Sequence, residues 1–235
     1  MIVAGLALLA VGAADLVRQF VPLRWIGYAS VAVLLLVVAG FSDALLPAII
    51  AIGIAAIWVW SMPTHRESRA TFWPAVLLAV LCVAAVALLE PRADAGLIGH
   101  VWDLRSPFGP VSFDLAILTI GVTAFLLESS NLVVRAALAG EHTWRPDESR
   151  GATGGSFKGG RLIGPLERLI VFMLTLTAAY TLLAAMLAAK GIVRFPEISK
   201  DGETGARAEY FLVGSLVSWL SALGAAFLVW WAMHS

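Results

Sequence analysis

LERLIVFMLTLTAAYTLLAAMLAA, residues 166–189, decides how the chain is folded. A helix that crosses a bilayer needs about 20 mostly apolar residues. This stretch supplies them, between Glu167-Arg168 at its start and Lys190 just past its end. It has no internal glycine or proline to stop a helix. It therefore predicts one continuous crossing, the sixth of about seven. At 1.5 Å per residue, Glu167 and Lys190 then lie roughly 34 Å apart, a full hydrocarbon thickness, with their polar neighbours in two clusters on opposite faces.

Upstream lies GATGGSFKGGRLIGPLER, residues 151–168. Pro165 suits the first turn of a helix, so the sixth helix is expected to begin near Gly164. Its free N–H groups would face Lys158 and Arg161, an anion-binding arrangement. Lys158 precedes Gly159, so the GxxxxGK[ST] nucleotide loop is not met. Downstream, a polar loop over 190–206 leads to a seventh crossing at 210–233.

The other apolar stretches are 2–20, 25–41, 44–62, 72–89 and 112–138. Ser42-Asp43 leaves room only for a tight helical hairpin. Prolines and glycines over 90–111 argue against a continuous helix there. The fold class is all-α: a single transmembrane domain over 1–235. It comprises a four-helix part over 1–89, an outer loop over 90–111, and a three-helix part over 112–235 with a cytoplasmic Gly-rich loop at 140–164. The first stretch reads as a crossing, with a surface helix as the alternative.

Composition agrees. The chain is 60% hydrophobic and 14% charged, with mean hydropathy +0.89, whereas soluble domains carry about 25% charge. A formal net charge of +0 gives no basic field for nucleic acid. The one cysteine, Cys82, has no disulfide or CxxC partner within the chain, so it reads as a small apolar filler. No cofactor and no metal site are expected.

Cytoplasmic loops are enriched in Lys and Arg. Arg18 follows the first apolar run instead of preceding it, which reads as an uncleaved first span with its N-terminus outside. Seven crossings then put ten of the 16 Lys and Arg residues inside and six outside, with the C-terminus inside. Trp58, Trp60, Trp73, Trp230 and Trp231 read as an aromatic belt.

Ionisable groups inside spans mark partners or function. Glu128, Asn131 and Arg135 share one helix stripe, with Glu128 and Arg135 too far apart to pair directly unless Asn131 bridges. Lys158, Arg161, Glu167 and Arg168 join them as a cytoplasmic-face ligand site. Lys190, Arg194, Glu209 and Tyr210 form an outer-face clamp. Asp15 and Arg18 read as an interfacial ion pair. Gly214, Ser218, Ser221 and Ala225 read as a packing stripe against Ala178, Thr181, Ala185 and Ala189.

GGRLIGPLERL, AAKGIVRF and AEYFLVGSLVSWL, in that order, resemble the closing part of a bacterial membrane-protein family whose domain has no assigned function. The matching positions are Gly160, Arg161, Gly164, Glu167, Arg168, Lys190, Arg194, Phe195, Glu209, Tyr210, Gly214 and Ser218, over about 60 residues. The family opens on a helix bearing His and Asp; here GAADLVRQF keeps Asp15 and Gln19 without a histidine. The resemblance implies a multi-pass protein of the bacterial inner membrane and no particular chemistry.

The reading is thus a scaffold or assembly subunit whose polar clusters clamp helices. Membrane lipids and a protein partner or second copy are the expected partners. A small transporter or channel-like protein, or an anionic-lipid binder using the Gly/Arg loop, is the alternative. A membrane enzyme acting on a lipid phosphate, with Glu128 or Glu167 as general base, is a third; no nucleophile–base pair supports it.

Overall fold

A computed structural model describes residues 1–62, 72–90, 92, 95–106, 109–140, 160–198 and 206–235. The helices are α1 (Ile2–Phe20), α2 (Arg24–Phe41), α3 (Leu45–Ser61), α4 (Trp73–Leu88), α5 (Gly96–Val101), α6 (Phe113–Ala124), α7 (Ser130–Gly140), α8 (Gly160–Leu176), α9 (Tyr180–Ile198) and α10 (Ala206–His234). Four helical segments are long and apolar enough to cross a membrane: Ile2–Phe20, Arg24–Phe41, Phe113–Ala139 and Ala208–His234.

α1 is the hub. It packs on α6 and α3 most extensively, and also on α2 and α4. Ala4, Leu6, Ala7, Ala10 and Val11 are all buried, so apolar contact surrounds it. The surface-helix alternative for this segment is thereby set aside. Glycines explain how closely α6 approaches. A Cβ on Gly12 would stand 2.6 Å from the carbonyl carbon of Ala124, and one on Gly121 would stand 2.9 Å from Leu9 N. Small residues allow such contacts in lipid, where packing rather than hydrophobicity drives association.

α2 and α3 form the expected tight hairpin. Asp43 takes a left-handed φ of 52, and the Ala44 N–H closes onto the Ala39 carbonyl at 2.8 Å. The guanidinium of Arg92 grips the Asp114 carboxylate through Nε and Nη2, and its Nη1 donates to the Ser42 carbonyl at 2.7 Å. This ties the turn to the start of α6, which Ser112 caps by accepting from Leu115 N. Between them lie α5 and a two-stranded antiparallel ribbon, β1 (Leu104–Ser106) and β2 (Gly109–Val111). Trp102 anchors the ribbon, donating to the Val111 carbonyl at 2.7 Å and stacking edge-on to Phe113.

Two departures from regular helix shape the second half. α6 runs into α7 through a π-turn at Phe125–Ser129. The stretch 166–189 is not one crossing. α8 stops at Leu176 and α9 starts at Tyr180, and the two helices pack as a hairpin. Ala178 sits at φ 54. Its N–H bonds to the Thr175 carbonyl at 3.1 Å, and the Ala179 N–H reaches back to Leu174 at 2.9 Å. That pair of bonds is a Schellman stop, normally built on glycine. The single-helix expectation fails because alanine holds the left-handed position. α8 also begins at Gly160 instead of near Gly164, leaving Pro165 inside it.

Candidate functional site

The hairpin and the π-turn bring the polar residues of the spans together. In the π-turn, the Ser130 N–H bonds to Phe125, five residues back. In an α-helix that N–H would go to Leu126. The Leu126 carbonyl accepts instead from Arg168 Nη1 of α8 at 2.8 Å. Arg168 is buried, at 3% exposure. Its Nε donates to Ser218 Oγ of α10 at 3.2 Å, and its Nη2 meets Asn131 Oδ1 of α7. Gly164 makes room: a Cβ there would stand 3.1 Å from Arg168 Nη2. One guanidinium thus joins four helical segments through neutral oxygens.

Asn131 turns its Nδ2 towards Glu128 Oε2 at 3.4 Å. Glu128 also lies 3.9 Å from Arg135 Nη2, so the two ends of this stripe do approach one another. Arg135 Nε donates to the Asn131 carbonyl at 3.4 Å, and its side chain is exposed.

Glu167, beside Arg168, points to α9 and α10. Lys190 Nζ lies 2.6 Å and 2.8 Å from its two oxygens, and Trp219 Nε1 donates to Oε1 at 2.8 Å. The ammonium also stands over the rings of Trp219 and Phe211, 5.3 Å and 5.7 Å from their centroids. The expected 34 Å separation of Glu167 and Lys190 is therefore corrected to direct contact, because the chain turns back at Ala178. Of the expected outer cluster, Lys190 is thereby placed on Glu167 and not across the membrane from it, while Glu209 is exposed and Tyr210 half-buried. Lys158 lies outside the described residues, as do the side chains of Arg161 and Arg194.

A second polar group sits on the other side of the π-turn. Asp15 of α1 is 2% exposed. It accepts from Trp58 Nε1 of α3 at 2.9 Å and from Arg18 Nη1 at 3.2 Å. Arg18 Nη2 continues to the Met62 carbonyl at 2.7 Å. The pair is thus buried among helices, and Trp58 is its ligand instead of part of an aromatic belt. Ser129 of the π-turn lies beside the Asp15 carboxylate without reaching hydrogen-bond geometry. The result is a polar seam running from α3 through α1, the π-turn, α7 and α8 to α10 and α9.

Sequence reasoning missed Trp58, Trp219, Ser218 and the Leu126 carbonyl as members of this seam. Ser218 reads as part of a small stripe facing residues 178–189, but Gly214 of that stripe faces Leu138 and Val134 of α7 instead. Ala178 belongs to the turn and not to a packing face. The available signal was the indole count: a buried Trp must find an acceptor for its N–H, and each buried carboxylate is one.

Among the described residues, cavities lie away from the seam's charges. One of about 390 Å³ between α4 and α10 is lined by Val76, Cys82, Val122, Leu220 and Leu228. One of about 290 Å³ between α1, α2 and α3 is lined by Ala10, Tyr28, Leu35 and Ile52. Both are apolar. Among the described residues, no three His, Cys, Asp or Glu side chains gather as a metal site.

No protein-family model, curated protein or solved structure matches the chain.

Proposed function

We propose that this is a multi-pass protein of the bacterial inner membrane that serves as a scaffold or assembly subunit. The observation that carries this reading is internal satisfaction of charge. Arg168, Glu167, Asp15 and Arg18 each spend their hydrogen bonds on other helices, and neither cavity described above is lined by any of them. A seam built to hold ligand would leave donors facing space; this one fixes the relative positions of helices. The exposed apolar faces of α2, α3, α8 and α9 are then for lipid and for a protein partner or second copy. In-membrane crosslinking followed by mild extraction tests it. A stoichiometric partner or a defined homo-oligomer is expected; a monomer with no crosslinked species counts against it.

The hairpin also changes the proposed topology. Whether α8 and α9 both cross or turn back within the bilayer, they return the chain to the side it came from. Both termini then lie on one face, in place of the outside-to-inside arrangement read from the sequence. The opposite face gains Arg194, Lys200 and Arg207 and keeps Arg18, Arg24, Arg66, Arg69, Arg145, Arg150 and Lys158, leaving Arg92 and Arg105 with the termini. That is a much steeper bias of the kind that marks the cytoplasmic side, so we place both termini outside.

A transport role is the second reading. It is favoured by a broken helix beside a π-turn, a combination found where backbone lines a substrate path. Flux in proteoliposomes that is abolished by Glu167→Gln would support it over the scaffold.

A further inference from the structure

Glu167 is nearly buried, at 9% exposure, and is held by the Trp219 indole N–H. Among the described residues, the cation that the carboxylate and the faces of Trp219 and Phe211 surround is the Lys190 ammonium. A carboxylate with two aromatic faces is the chemistry that recognises organic ammonium groups, through charge and through the ring quadrupole. The helix that delivers the cation is lightly held. α9 lies at the edge of the bundle against α8 and, less extensively, α10. Tyr180, Leu182, Ile192 and Val193 on it are exposed. Among the described residues from Tyr180 to Val193, the side-chain hydrogen bonds to other helices are those of Lys190. Its other end is the Ala178 turn, at φ 54. Lys190 is also close to the end of α9: eight residues of helix separate it from Ile198, or roughly 12 Å. The Lys190 side chain is 24% exposed, so the site is open at the edge of the bundle.

We infer that Glu167, Trp219 and Phe211 form an ammonium-binding site that Lys190 fills as a tethered ligand, and that the organic ammonium of a free amine or a lipid headgroup exchanges with it. When an outside ammonium takes the site, Lys190 leaves with α9, and the hairpin opens about its turn. This goes beyond the scaffold reading and does not depend on it.

The chain has Lys at positions 158, 190 and 200, so modification of Lys190 by an amine-reactive reagent can be followed by peptide mass spectrometry against the other two. The full-length protein in phosphatidylglycerol nanodiscs is titrated with tetramethylammonium chloride, with sodium chloride at equal ionic strength as control. Lys190 modification should accelerate several-fold and saturably with tetramethylammonium, leaving the other two lysines unchanged. In Trp219→Leu the saturable response should vanish, because the cage is gone. Phosphatidylcholine nanodiscs without soluble ammonium assign the source. Acceleration there identifies the headgroup as a ligand; acceleration confined to the soluble cation identifies a free ammonium. Independently, Lys190→Met empties the site and should gain thermal stability on adding ethylammonium chloride but not sodium chloride. The inference is overturned if Lys190 modification follows ionic strength alike in both salts and is the same in both lipids.

Discussion

Arg168 Nη1 donates to the Leu126 carbonyl at 2.8 Å, across 42 residues of sequence, and that carbonyl is the one whose ordinary partner, the Ser130 N–H, has moved to Phe125. The π-turn and the buried arginine therefore require each other. Without the arginine, a carbonyl in a low-dielectric core would lack a donor; without the π-turn, the arginine would lose an acceptor.

Arg168→Met should be strongly destabilising. It leaves the Leu126 carbonyl, Asn131 Oδ1 and Ser218 Oγ without their donor, at about 1–3 kcal/mol for each buried group left unsatisfied. Arg168→Lys should recover little, since one ammonium cannot span three acceptors on different helices. Arg135→Met is the contrast. Its side chain is 61% exposed and stands 3.9 Å from Glu128, so its loss should stay within about 1 kcal/mol. Thermal unfolding in one detergent, followed by helical circular dichroism, checks the ranking. Equal losses for positions 135 and 168 would contradict it.

The α1–α6 crossing predicts a glycine pattern. Gly12→Ala and Gly121→Ala place a methyl against backbone that cannot move aside, and overpacking of this kind costs about 1–3 kcal/mol. Gly53 and Gly224 have nothing within 4 Å of an added Cβ. Alanine there should be neutral or stabilising by up to about 1 kcal/mol, the difference in helix propensity. The four single variants, unfolded side by side, should separate into two pairs. A uniform response would mean the helices are not this close.

Much of the fold is legible in hydropathy, since a run such as Ile2–Phe20 can only be an apolar helix. Glu128, Asn131, Glu167 and Arg168 are also legible as groups that must find partners inside a bundle. What connects them is not. The Schellman stop after Leu176 carries Ala178 where glycine would announce it, and the surrounding Thr-Ala-Ala-Tyr is as compatible with a continued helix as with a turn. The π-turn is a change of one residue in hydrogen-bond register, which no residue type signals. Trp58 and Trp219 look alike in sequence to the exposed Trp60, yet two of the three donate to buried carboxylates. Tertiary proximity decided each case.

Asp15 and Arg18 should show strong coupling. Among the described residues, Asp15→Leu leaves a buried guanidinium with the Met62 carbonyl alone and leaves the Trp58 indole without an acceptor. Breaking a buried pair from one side costs about 3–5 kcal/mol. Removing both charges, in Asp15→Leu with Arg18→Met, should recover a large part of that loss, because hydrophobic replacement of a whole buried pair is often neutral. A double-mutant cycle measured by thermal unfolding gives the coupling directly. Additive losses would mean that the two side chains do not pair.

The hairpin and the straight crossing make opposite predictions about the C-terminus. A single crossing over 166–189 gives an odd number of spans and puts Ser235 across the membrane from Met1. The hairpin keeps the number even. A reporter active only in the cytoplasm, fused after Ser235, should therefore be silent, and one active only outside should work. Fusions after Gly140 and after Ile198 should both report cytoplasm, since α7 ends, α8 begins and α9 ends on one side. Side-chain contacts fix these levels independently of any membrane. Gly214 meets Leu138, Ser218 meets Arg168, and Trp219 meets Glu167, so α10 enters the bundle at the level where α7 leaves it. Exchanging the charges in Glu167→Lys with Lys190→Glu adds a local check. Each single reversal should destabilise by placing like charges 2.6 Å apart, and the double should recover. Two residues at opposite ends of a straight helix would show no such recovery, and reporters that place Met1 and Ser235 on opposite faces would restore the straight crossing.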